Sequence, residues 1–162
     1  MNPNLMISRR ALIVGLAAAP IVLSARSIAS AETLPKMTVT KEPSCGCCGA
    51  WVDHVRKAGF PVEVVESSGV NRLKVRLGVP QALASCHTAE VSGYVIEGHV
   101  PADAIKRLLA EKPKARGIAV PGMPVGSPGM EIEGVQNDTY DVVLFGAARQ
   151  TTFGRYRGVQ RS

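Results

Sequence analysis

The residues in this chain best suited to chemistry are its cysteines. Three of the four lie within four residues, and the fourth directly precedes a histidine: Cys45, Cys47, Cys48, then Cys86 with His87. A Cys45–Cys48 bridge would have the C-x-x-C spacing of thiol redox sites, but it would leave Cys47 over. Because so short a segment encloses almost no chain, a structural disulfide explains the clustering poorly. The cluster indicates metal binding, thiol redox chemistry, or both.

Four soft sulfur donors and an imidazole favour Cu(I) or Zn(II) over hard ions. Four thiolates carry four negative charges, so one Zn(II) would leave a net negative charge in a partly buried site. Several bridged Cu(I) ions would come closer to neutrality. Zinc also prefers ligand pairs spaced by two or more residues, which only Cys45 and Cys48 provide. We therefore expect Cu(I) in a multinuclear, cysteine-bridged cluster, with zinc as the weaker alternative.

Four further side chains could either bind a metal or pack within the fold. Met123 and Met130 lie in a loop and are additional candidate ligands, since thioethers bind Cu(I). A loop methionine also often packs on its domain. His54 follows the cysteines on a predicted helix, and we expect it to lie on the surface or to pack against a helix there. His99 follows the predicted fourth strand, and we expect it to lie far from the cysteines.

Strand and helix patterns alternate along the chain and predict an α/β fold. The order is β-α-β-α-β-β-α, which is that of the thioredoxin fold. A loop rich in Gly, Pro and Met over 117–129 and extra strands at 141–145 and 151–156 follow it. The predicted core strands are 37–40, 62–66, 88–91 and 94–97, and the predicted helices are 49–58, 71–77 and 101–109.

This order brings the cysteines together. The segment from Cys45 to Cys48 falls between the first strand and the first helix, where a thioredoxin fold keeps its reactive pair. Cys86 and His87 stand just before the third strand, which faces that pair across a short gap. The N-terminus of the first helix would also stabilise thiolates at Cys47 and Cys48.

The N-terminus predicts export. Ser8-Arg9-Arg10 precedes an apolar run over 11–23, and Ala29-Ser30-Ala31 offers small residues for cleavage. We interpret residues 1–31 as a signal peptide and 32–162 as a single metal-binding domain in the periplasm. The paired arginines favour the twin-arginine route over Sec. The apolar run is short for a membrane span, which needs about 20 residues. An uncleaved signal would be the only membrane attachment.

Charge argues against a nucleic-acid partner. The net charge is +6, and three of the positive charges belong to the signal peptide. The remainder is weakly basic, without a Lys/Arg stripe interleaved with aromatic residues.

Four segments together resemble the CopG-type family of exported bacterial metal-binding proteins linked to copper resistance. They are Cys45–Gly49, Ser85–Thr88, Gly93–Pro101 and Pro121–Met130. The resemblance extends over roughly residues 36–158. It implies a thioredoxin-like fold and copper bound by the cysteines, and it leaves open whether members catalyse a reaction.

Three functions remain. In the first, which we expect, the protein is a periplasmic copper-binding protein that sequesters Cu(I) or hands it to other periplasmic copper-handling proteins. Alternatively, it is a thiol or copper oxidoreductase that uses Cys45 and Cys48, although such an enzyme would not need Cys47 and Cys86. The third is a structural module with a stabilising zinc. Metal content separates the first from the third, and the reduction potential of the Cys45/Cys48 pair addresses the second.

Overall fold

A computed structural model describes residues 33–146 and 149–162, and the signal peptide predicted for residues 1–31 lies outside them. The helices are α1 (Gly46–Lys57), α2 (Val70–Leu77) and α3 (Ala102–Glu111), with a short 3₁₀ helix at Gln81–Leu83. The strands are β1 (Met37–Lys41), β2 (Val62–Glu66), β3 (His87–Val91), β4 (Tyr94–Glu97), β5 (Gly117–Ala119), β6 (Thr139–Phe145), β7 (Thr151–Arg157) and β8 (Gln160–Arg161).

The described strands form one sheet in the order β2-β1-β3-β4-β5-β6-β7-β8. β1 pairs parallel with β2 through a crossover that contains α1, and antiparallel with β3. The β3–β4 hairpin closes through Ser92 and Gly93, both with positive φ. Because β1 runs antiparallel to β3, the C-terminal end of β1 and the start of β3 lie at the same edge of the sheet, with Lys41 paired to His87.

The predicted α/β class and the β-α-β-α-β-β-α order are confirmed, and β6 and β7 are the two extra strands that were predicted. Two parts of the prediction were wrong by three residues each. α1 begins at Gly46 rather than at 49, because burial of Cys48 and Trp51 outweighs the low helix propensity of the two glycines in its first turn. Residues 117–119 were predicted as loop but form β5, where Gly117 lies directly against the backbone of Val95.

Apolar side chains cover both faces of the sheet. One face packs against α1 and α3, and the other packs against α2. The first core includes Trp51, Val55, Ile105, Leu108, Ile96 and Ile118, and the second includes Leu73, Leu77, Val79, Val95 and Phe145. Successive residues of β4, Val95 and Ile96, point to opposite cores, as the two-residue period of a strand requires. No helix within the described ranges is long and apolar enough to cross a membrane.

Candidate metal centre

Three cysteines lie at the start of α1. Cys45 is the N-cap residue with extended backbone, and Cys47 and Cys48 belong to the first helical turn. Cys48 is fully buried, whereas Cys45 and Cys47 are partly exposed. The first turn contains no acidic residue. The N–H groups of the first helical turn would stabilise a thiolate formed at this end of the helix.

The fourth cysteine approaches them from another segment. Cys86 immediately precedes β3, and its Sγ lies 3.9 Å from Sγ of Cys47, which is 3.5 Å from Sγ of Cys45. All four sulfurs lie within 4.8 Å of one another. The expected proximity of Cys86 to the first cysteines is therefore observed. That these sulfurs are ligands stays a prediction.

Two of the four sulfurs are bonded to each other. Cys45 and Cys48 form a disulfide, and Cys47 and Cys86 are free thiols. This is the pairing that the C-x-x-C spacing favours in a metal-free, oxidised chain. The site therefore contains one oxidised cysteine pair and two free thiols.

His87 points inward, as expected for an additional donor. Its side chain is fully buried, with its ring 4.4 Å from that of Trp51. Nδ1 lies 3.4 Å from Sγ of Cys86. Among the described residues, its Nε2 has no hydrogen-bond partner. A buried nitrogen without a partner is rare, and a bound ion would explain it.

The expectation that His99 lies far from the cysteines was wrong. His99 Nε2 is 3.0 Å from Sγ of Cys86, and its ring stands 5.0 Å from the ring of His87. The tight β3–β4 hairpin causes this, because the N–H of Gly98 bonds to the carbonyl of His87 and places the next residue beside Cys86. Cys86, His87 and His99 thus form a second group of potential ligands that shares one sulfur with the first.

The Gly/Pro/Met loop closes over the same end of the sheet. The carbonyl of Pro128 lies 2.8 Å from Nδ1 of His99. Gly129 has φ +83°, and a Cβ there would lie 2.8 Å from the carbonyl oxygen of Cys47. Only glycine permits this approach. Met130 follows, partly buried, whereas the side chain of Met123 is 52% exposed. Both methionines remain candidate ligands. Met130 directly follows Gly129, which lies against the backbone of Cys47.

His54 packs between elements, as expected. Its Nε2 accepts a hydrogen bond of 3.1 Å from the N–H of Ala102, at the start of α3. Burial is the main cause that lowers its pKa.

Comparison with known proteins agrees with this geometry. Two solved structures, forms 1 and 2 of a copper resistance protein named CopG, are each 40% identical to this chain. Form 2 covers 76% of this chain and 98% of its own, with a TM-score of 0.72, and form 1 covers 77% and 99%, with a TM-score of 0.71. The chain belongs to the CopG family. The model of a protein family of unknown function, DUF411, also matches residues 83–130. No curated protein matches the chain.

The matched segment 83–130 has a structural meaning in this CopG-family protein. It begins before Cys86 and ends at Met130, so it contains His87, His99 and the loop that contacts Cys47. The cysteines of α1 lie outside it. The donor chemistry fits copper, since four sulfurs and two imidazoles are soft to borderline ligands. Family and donor set together support a copper-related function.

The surroundings of Cys86, His87 and His99 favour the neutral form of each side chain without metal. Burial, followed by the nearby Cys47, raises the pKa of the Cys86 thiol to about 11. Burial also lowers the pKa of His99, and burial with the neighbouring His99 and Lys74 lowers the pKa of His87 well below its usual value. Neutral imidazoles keep a lone pair for a metal, whereas Cys86 must lose a proton to bind one.

The buried histidine predicts a loss of stability in acid. Since the pKa of His87 is depressed in the fold, the unfolded chain binds its proton first as pH falls through about 6.5. We expect the free energy of unfolding of metal-free protein to be highest above this pH and to fall below it. Substitution of His87 by Phe should flatten this slope by up to about 1.4 kcal/mol per pH unit. Denaturant unfolding between pH 5 and 7.5 measures it, and equal slopes for both proteins would contradict the prediction.

Proposed function

We propose that this CopG-family protein is a periplasmic copper-binding protein that holds Cu(I) in a cysteine-bridged, multinuclear cluster and contributes to copper resistance. The observation that supports this most is the convergence of four sulfurs within 4.8 Å, one of them from a distant segment of the chain. A structural disulfide would need two sulfurs, whereas a thiolate cluster uses all four.

The arrangement of the sulfurs favours several ions over one. Cys45, Cys47 and Cys48 follow each other too closely in sequence to ligate a single ion easily, and bridging between ions relieves this crowding. The four thiolates carry more negative charge than one divalent ion neutralises, and net charge in a partly buried site is costly. His87 and His99, held neutral, add donors without adding charge. These arguments support copper over zinc.

Access to the sulfurs supports exchange of the metal. Cys45, Cys47 and Cys86 are partly exposed, and the exposed Met123 lies in the loop that contacts the site. Export would place this surface among other periplasmic copper-handling proteins, from which Cu(I) is received or to which it is passed. A disulfide between Cys45 and Cys48 is compatible with such an oxidising compartment.

The experiment is the copper content of protein purified from its native compartment, with the oxidation state of the metal. Cys47→Ser tests the cluster directly, because a C-x-x-C site does not use Cys47. We expect this variant to bind clearly less Cu(I) than the parent, and His54→Ala, outside the site, to bind as much as the parent. If Cys47→Ser held as much Cu(I) as the parent, the cluster would be wrong.

A second candidate rests on the disulfide. Cys45 and Cys48 have the spacing of a redox pair at a helix N-terminus, and Sγ of Cys47 lies 3.5 Å from Sγ of Cys45. In an oxidoreductase, the Cys45/Cys48 dithiol would give up two electrons and two protons, which suffices to reduce two Cu(II) to two Cu(I). Undiminished Cu(I) binding by Cys47→Ser would favour this function.

A further inference from the structure

A buried ion pair lies directly behind the Cys86 segment. Nζ of Lys74, on α2, is 2.6 Å from Oε1 of Glu97 at the end of β4, and the two side chains are 5% and 0% exposed. Lys74 also donates to the hydroxyl of Thr88 at 2.9 Å, and this hydroxyl donates to Oε2 of Glu97 at 2.7 Å. None of these groups is among the candidate ligands.

The carboxylate of Glu97 also accepts a hydrogen bond from the segment that carries Cys86, in the candidate metal centre. The backbone N–H of Ser85 donates to Oε1 of Glu97 at 2.7 Å. Ser85 directly precedes Cys86 and belongs to neither a helix nor a strand, while Thr88 directly follows His87. The Glu97 carboxylate therefore accepts hydrogen bonds from Ser85 and Thr88, the residues on either side of Cys86 and His87.

Stability alone explains this pair poorly. Removal of two charges from water is expensive, and replacement of such a pair by apolar residues of similar volume is often neutral or stabilising. Leu73 and Leu77 already bury the apolar face of α2 against the sheet. What the ion pair adds is an acceptor at a fixed place for the N–H of Ser85, in a segment without its own regular hydrogen bonds.

We propose that Glu97, held by Lys74, is a positioning residue that sets the sulfur of Cys86 opposite Cys47. Its importance for copper rests on the function proposed above. The position of the sulfur itself is measurable without metal.

The experiment uses the full chain with Cys45→Ala and Cys48→Ala, which leaves the two thiols that lie 3.9 Å apart. Glutathione disulfide converts them to a Cys47–Cys86 disulfide and is reduced to two glutathione thiols, so the equilibrium gives their effective concentration. Lys74→Met/Glu97→Leu removes the ion pair and the acceptor. Lys74→Met/Glu97→Gln removes the charges but keeps a side-chain oxygen for Ser85.

We expect Lys74→Met/Glu97→Leu to lower the effective concentration at least about tenfold, and Lys74→Met/Glu97→Gln to stay within about threefold of the parent, because misplacement of reacting groups by about 1 Å is costly. Leu77→Ala is the control, since it removes packing of α2 on the sheet and leaves the hydrogen-bonding groups of Glu97, Lys74, Thr88 and Ser85 in the chain. An unchanged value for the Leu variant would overturn the proposal. An equal fall in the Gln variant would assign the effect to charge, and an equal fall in Leu77→Ala would assign it to general loosening; either result would also overturn it.

A second measurement needs no substitution. Amide hydrogen exchange should show a protected Ser85 N–H, although the residue lies outside helices and strands. Exchange at the rate of an unstructured amide would overturn the proposal even if the substituted chains did not fold. Cu(I) titration of the same ion-pair variants with all four cysteines separates the two proposals. If the ion-pair variants lower the effective concentration of the two thiols but leave the Cu(I) affinity unchanged, Glu97 positions Cys86 as proposed and the proposed copper function is wrong.

Discussion

Substitution of Cys86 by serine is expected to weaken Cu(I) binding by at least about 100-fold, since loss of partners outside the first coordination shell alone costs 10–100-fold in other metal sites. Cys86 is shared by both groups of potential ligands, the four sulfurs and the group with His87 and His99. Its loss therefore opens both groups at once. Competition titration of the reduced protein against a Cu(I) chelator measures the effect.

Two further variants serve as comparisons for Cys86→Ser. Ser85→Ala changes the neighbouring residue and keeps all sulfurs, so it should bind Cu(I) nearly as the parent does. His99→Ala should have an intermediate effect, because Nε2 of His99 lies 3.0 Å from Sγ of Cys86. Parent-like affinity in Cys86→Ser would show that the sulfur of Cys86, although near the others, is not a ligand.

Oxidation of the Cys45–Cys48 pair is expected to block Cu(I) binding, and reduction is expected to restore it. The disulfide removes two of the four sulfurs as thiolate donors. We expect an affinity at least about 100-fold lower in the oxidised protein, comparable to loss of a ligand. The measurement is a Cu(I) competition titration of both forms, with the thiol content of each determined beforehand.

The same titration at two pH values tests proton release. Because burial and Cys47 raise the pKa of Cys86 to about 11, this thiol is protonated at neutral pH and must lose its proton to bind copper. Affinity of the reduced protein should fall about tenfold per pH unit for each proton displaced as pH drops from 7.5 to 6. Equal affinity in both redox states and at both pH values would exclude the cysteines, and Met123 and Met130, which do not titrate, would become the better candidates.

The approach of Cys86 to the first cysteines was predictable because the strand and helix order expected from the sequence places β3 antiparallel beside β1, so the end of β1 and the start of β3 lie at one edge of the sheet. His99 was predictable too. With Val91 paired to Tyr94 across a two-residue turn, the register continues until the residue after Gly98 stands beside Cys86. The expectation that His99 lies far from the cysteines was wrong because a hairpin returns the chain to the edge of the sheet from which it started.

Three other features could not be predicted from the sequence. The side on which Lys74 lies depends on how α2 rotates against the sheet, and a lysine in an amphipathic helix normally predicts an exposed position. β5 is too short for a strand pattern, and its pairing with β4 is non-local. The contact of Gly129 with Cys47 requires the whole path of the loop, which Gly and Pro content alone does not specify.

The loop over the candidate metal centre leaves from β5 and returns at β6, and these two strands are hydrogen-bonded neighbours. The sheet therefore fixes both ends of residues 120–138 on neighbouring strands, and chain closure grows only slowly more costly with loop length. Such a segment can be exchanged as a cassette. We expect a replacement that keeps the glycine against Cys47 to place new side chains over the same cysteines, without a change to the sheet or to the helix that carries them.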